Sequence, residues 1–128
     1  MGAECLIFST GTSNTGVGRE AGRTVTTADN CVMIGSGADG IATGDNQIAI
    51  GFDATCTKAN QVIIGNTSIV ETVLRGSVLY ELYTIATLPP PTPGSLIYIS
   101  NEIDGPTITM AFADGVNFRR VRDSVVLS

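Results

Sequence analysis

Four short segments that begin with asparagine constrain this chain more than any other feature. They read Asn14-Thr15-Gly16-Val17-Gly18, Asn30-Cys31-Val32-Met33-Ile34-Gly35, Asn46-Gln47-Ile48-Ala49-Ile50-Gly51 and Asn60-Gln61-Val62-Ile63-Ile64-Gly65. The asparagines recur roughly every 15 residues, the kind of fixed period that marks a repeat architecture. An alanine follows the glycine at the third position in the first three copies, as Ala21, Ala38 and Ala54. The unit is Asn-x-(Val/Ile)-x-Ile-Gly-x-x-Ala. The first copy reads as one residue short, and the last has Asn66-Thr67-Ser68 where the alanine would fall.

Each unit has a physical logic. Val32 and Ile34, Ile48 and Ile50, and Val62 and Ile64 alternate with their neighbours, so each pair shares one face of a strand. Glycine at the strand end permits a turn that a Cβ would hinder, and the small alanine suits a cramped inward position. Asparagine ahead of the strand tolerates turn geometry and can bond its own backbone. One short strand plus a turn-rich return makes a coil of about 15 residues repeated along an axis, the pattern of a β-solenoid. Two inward aliphatics per strand are more than so thin a coil can cover alone. Burial therefore predicts an obligate homo-oligomer in which several chains pool their apolar faces. The number of chains does not follow from burial.

Composition agrees with strands. Thr, Ile and Val supply 16, 13 and 11 of the 128 residues, against 1 Lys, 2 Gln and 5 Glu. Strand formers dominate, and the residues that populate helix surfaces are nearly missing. The chain has no histidine, which excludes an imidazole base and any His-ligated metal. A net charge of −5 opposes non-specific nucleic-acid binding. No apolar run reaches the roughly 20 residues of a membrane span. The start, Met1-Gly2-Ala3-Glu4-Cys5-Leu6, has neither the basic region nor the apolar core of a signal peptide, nor the hydroxyl residue of a myristoylation site. Cys5, Cys31 and Cys56 are odd in number and form no CxxC pair, so they are expected to be small buried or half-buried side chains in a reducing setting.

The repeats resemble the head repeats of trimeric autotransporter adhesins and the matching repeats of bacteriophage tail and head fibres, typified by Asn-Ser-Val-Ala-Ile-Gly-x-x-Ala. That resemblance covers about residues 12–67 and implies a left-handed parallel β-roll built as a homotrimer. Its core would be made by Val32, Ile34, Ile48, Ile50, Val62 and Ile64. After the roll, Val73-Leu74-Arg75-Gly76-Ser77-Val78 resembles the exit strand of such fibres, and the β-branched run around it favours strand. Leu88-Pro89-Pro90-Pro91-Thr92-Pro93-Gly94 cannot join a sheet and reads as an extended spacer. The rest reads as a β-meander. It has strands at Ser95 to Ser100, Thr107 to Ala113 and Val116 to Val121, turns at Asp104-Gly105 and Asp114-Gly115, and Ile108, Met110 and Phe112 on one face. Its end, Asp114-Gly115-Val116-Asn117-Phe118-Arg119-Arg120-Val121, resembles a C-terminal phage-fibre module that carries Trp where Phe118 stands.

Several chemical lookalikes give way to plainer roles. Gly35-Ser36-Gly37-Ala38-Asp39-Gly40 spells G-x-G-x-x-G, but Ile41 to Asn46 is a poor helix, so the glycines read as turns and not as a dinucleotide site. Asp39, Asp45 and Asp53 read as solvated loop carboxylates, since the calcium nonapeptide would recur at a nine-residue period. Glu102 and Asp104 lack the cleft that paired carboxylates need for glycoside hydrolysis. No catalytic, cofactor or metal residue is assigned. Two groups are candidates for surface recognition: Arg119, Arg120 and Arg122, whose forks suit anionic groups, and the amphipathic Tyr80 and Tyr83.

The expectation is an all-β chain: a trimeric β-roll or β-solenoid shaft at 1–67, an exit strand and neck at 68–87, a spacer at 88–94 and a small C-terminal β-meander knob at 95–128. The resemblance implies a non-catalytic fibre or spike component of a phage virion, assembled in the host cytoplasm. Its partners would be other virion proteins and a host-surface glycan or protein, with no nucleic acid and no membrane insertion. Two alternatives stand beside it: a capsid- or tail-decorating head fibre or cement protein without receptor binding, and a bacterial trimeric adhesin head.

Overall fold

The computed structural model describes residues 2–100, 108–121 and the backbone of 126–127. The protein is all-β and divides into two compact units, Met1–Val73 and Leu74–Ser128.

In the first unit, strands β1 (Thr15–Val17), β2 (Val32–Ile34), β3 (Gln47–Ile50) and β4 (Gln61–Ile64) pair in parallel in sequence order. Each repeat contributes one strand and a turn-rich return, giving stacked coils of the β-solenoid kind. The turn after each strand recurs: Ala21, Ala38 and Ala54 donate their N–H to the carbonyls of Gly18, Gly35 and Gly51 at 3.2–3.4 Å. Residues Asn30, Asn46 and Asn60 have φ between +55° and +58°, the left-handed conformation that asparagine tolerates best after glycine.

The register revises the first copy. Thr15 pairs with Val32, so Ser13, itself at φ +60°, occupies the asparagine position and the copy is full length. Residues 2–12 extend the stack further. Ala3 accepts from Glu20 N–H at 2.9 Å, Leu6 N–H donates to Ala21 at 2.8 Å, and Cys5 fills the space over Gly16.

The same register settles which face is inside, and it corrects the inward direction expected of the aliphatics. Thr15, Val32, Ile48 and Val62 form one column, and Val17, Ile34, Ile50 and Ile64 a second; both point out of the coil. The interior column between them is Gly16, Met33, Ala49 and Ile63. Its Met33 and Ala49 join Ala21, Val25, Ala28, Cys31, Ala38, Ala54 and Cys56 in the buried core, with Leu6 and Ile63 packed against it. Small side chains dominate because the coil closes tightly on itself. A full layer of Ile and Val would not fit there at the density of protein interiors.

One buried polar side chain organises that core. Gln47 is fully buried; its Nε2 donates to the carbonyls of Ile41 (3.0 Å) and Gly44, and its Oε1 accepts from Ile41 N–H at 2.8 Å. It thereby supplies the partners that the irregular return 41–44 lacks. Gln47→Leu would take the partner from the part-buried N–H and carbonyl of Ile41 and leave the Gly44 carbonyl only the weak Cys31 Sγ–H contact at 3.6 Å. The full cost of a buried group left unpaired is about 1–3 kcal/mol. We expect a total loss of about 2 kcal/mol or more in the denaturant unfolding free energy of the roll. A loss under about 1 kcal/mol would show that water replaces the amide.

From Thr67 to Leu82 every residue is exposed, and residues 68–81 form no strand. The expected exit strand at 73–78 is therefore unpaired: β-branched side chains favour extended backbone, but a ladder also needs a neighbouring edge.

In the second unit, strands β5 (Leu82–Thr84), β6 (Leu96–Ser100), β7 (Thr109–Ala113), β8 (Phe118–Arg120) and β9 (Val126–Leu127) form one sheet in sequence order. The β6–β9 pairings are antiparallel, which is the expected meander, whereas β5 is parallel to β6. A 3-10 turn at Ile85–Thr87 and the proline run connect these two parallel neighbours, and Leu88 packs on the core of the unit. The sheet thus begins ahead of the prolines, and 88–94 is a crossover within it. The core is Ile97, Ile99, Ala111, Ala113 and Phe118, with Tyr83, Ile85 and Leu88 against it. Ile108, Met110 and Phe112 do share a face, and it is the outer one; Ala111 and Ala113 point inward. The turn expected at Asp104-Gly105 lies outside the described residues.

Candidate functional site

Two surfaces collect most of the side chains that the sequence singles out. The first is the outer face of β1–β4. Strands stacked in register place eight side chains in its two columns, seven of them Val or Ile and the eighth Thr15. In the second column exposure is lowest in the middle, 37% at Ile34 and Ile50, and higher at the two ends, 43% at Val17 and 65% at Ile64. Parallel sheets are ordinarily covered on both faces. Here one face is a packed interior and the other a flat aliphatic ladder, larger than the scattered apolar contacts normal for a protein surface.

The flanks of the coils carry polar side chains, and the carboxylates of Asp29, Asp39 and Asp45 are engaged within the stack. Asp29 Oδ1 accepts from Thr12 N–H (2.6 Å) and Thr12 Oγ1 (3.1 Å), and Asp45 Oδ1 accepts from Asp29 N–H (2.9 Å). Both oxygens of Asp39 accept from Thr24 N–H at 3.1 Å, and Oδ1 also accepts from Gly40 N–H at 2.9 Å. Each carboxylate thus ties one coil to the next, a role that motif spacing did not reveal. Gly35 and Gly37 lie in turns, with φ of +131° and +69°. Cys31 and Cys56 are buried and Cys5 half-buried, all as free thiols. Burial, outweighing its hydrogen bonds to backbone carbonyls, pushes the Cys56 thiol up, away from the reactive thiolate. Among the described residues, no group of three or more Cys, Asp or Glu converges as a metal site, and no helix is long and apolar enough to cross a membrane.

The second surface is the outer face of the C-terminal sheet. Leu82, Tyr98 and Met110 lie in one row, and Leu96, Phe112 and Arg119 in the next. Tyr80 leans on Tyr98, with ring centroids 5.3 Å apart and planes inclined by 32°. With Val78, Leu79, Leu82 and Ile108 the two rings line an open groove of about 320 Å³. Tyr83 does not join them. It is in register with buried Ile99 and packs on the core side, where its hydroxyl donates to Glu81 Oε2 at 3.2 Å. An odd number of steps along an extended chain reverses the face, so Tyr80 and Tyr83 part. Tyr98 is an amphipathic aromatic like the other two, and its contact with Tyr80, 18 residues away along the chain, has no signature in the sequence.

The arginines also separate. Arg119 faces outward and its Nε donates to Asp114 Oδ2 at 2.5 Å, within the β7–β8 turn. Arg120, half-buried, shares the inner face with Phe118. Arg122 lies outside the described residues. Asp114 also accepts from the N–H groups of Val116 (2.9 Å) and Asn117 (2.8 Å). The Asn117 N–H, then Arg119, hold its carboxyl down at about 2. A carboxylate whose folded pKa is depressed contributes stability above its unfolded pKa of about 3.9, and loses it as pH falls through the folded value. The C-terminal unit should therefore weaken as pH drops from about 4 to about 2. Asp114→Asn should flatten that acid limb in a series of melts; an unchanged limb would assign the loss to other carboxylates.

The fold defines a class: a β-solenoid-like stack of short parallel coils joined to a small β-sheet unit. No family model, no curated protein and no solved structure matches the chain.

Proposed function

We propose that this chain is a non-catalytic fibre or spike component of a phage virion, acting as a homotrimer that projects from the particle and contacts the host surface. The observation that carries the reading is the aliphatic outer face of β1–β4, a parallel sheet uncovered on one side. Pooling three such faces removes the apolar ladder from water and gives each sheet the second cover that parallel sheets ordinarily have. The trimer and the phage setting come from the repeat motif and from the module ending in Phe118-Arg119-Arg120-Val121, in that order along the chain. Threefold repetition would let a weak contact with a host glycan or protein act through avidity.

The test is the solution mass by light scattering, with and without heating in detergent. A mass three times that of the single chain, surviving unheated detergent, supports the reading. A clean monomer overturns it. Binding of the trimer to host cells would then favour the receptor-contacting role, whereas binding to isolated particles alone would favour decoration of the capsid or tail.

A further inference from the structure

We draw no further inference here: the strongest candidate, the open groove that Val78, Leu79, Tyr80, Leu82, Tyr98 and Ile108 line on the outer face of the C-terminal sheet, carries nothing because no feature of the structure shows what covers it.

Discussion

Gly35→Ala should destroy the roll. Gly35 holds φ +131°, which L side chains rarely adopt, and an added Cβ would lie 2.6 Å from the carbonyl carbon of Gly51 in the next coil. Neither problem can relax alone, because Gly18, Gly35 and Gly51 stack and each is pressed against the glycine that follows. At Gly18 the added Cβ would meet the Gly35 carbonyl carbon at 2.5 Å. Strain at a rare backbone conformation costs about 1–3 kcal/mol, and forcing a packed site apart costs a comparable amount. We expect a loss of about 4 kcal/mol or more, seen as failure to fold or as a melting temperature lower by at least about 15 °C. Gly76→Ala is the control: Gly76 also has positive φ, at +92°, but nothing lies within 4 Å of the added Cβ. It should cost about 1 kcal/mol or less, since an exposed segment can adjust. Equal losses in the two variants would mean that backbone strain, not coil contact, holds the glycine ladder.

The second large effect concerns assembly. Ile34 and Ile50 stand side by side in the outer columns, and each is 37% exposed in the single chain. Ile34→Asp with Ile50→Asp therefore leaves the coil interior untouched and places two carboxylates per chain on the face proposed to be shared. Burying an unpaired carboxylate costs several kcal/mol, and each step of about 1.4 kcal/mol is tenfold in association. We expect at least a thousandfold weaker association, read as a light-scattering mass that falls to that of one chain while the β-type circular dichroism persists. Ala49→Asp makes the contrast, because Ala49 lies fully buried between those columns and its variant should unfold the coil itself. An unchanged oligomer mass in the double variant would move the interface off this sheet.

These two experiments probe what the sequence left open. Alternation in Val32-Met33-Ile34 and Gln47-Ile48-Ala49-Ile50 announced strands and their two faces, yet both faces carry apolar residues, and the polar Gln47 lies on the inner one. Hydrophobicity alone could not say which is inside. The C-terminal unit repeats the ambiguity: Ile108, Met110 and Phe112 alternate with Ala111 and Ala113, and there too the alanines point inward. In β3 and β7 the interior takes the alanines, and the bulkier set, which looked like the core, forms the outer surface. Met33, Ile97, Ile99 and Phe118 show that bulky side chains are buried as well where there is room.

The strands, the glycine turns, the inward alanines and the antiparallel meander were legible because each rests on chemistry local to a few residues. Periodicity of two, freedom at positive φ and the small volume of alanine need no distant partner. Other features had no local signature. Ser13 stands in for asparagine, residues 2–12 continue the stack, and Gln47 closes the return 41–44. β5 joins β6 across the prolines, and Tyr80 meets Tyr98 while Tyr83 turns away. Each of these depends on register between separate segments of the chain. Register is decided by the total packing of a coil against its neighbours, which only the tertiary structure contains.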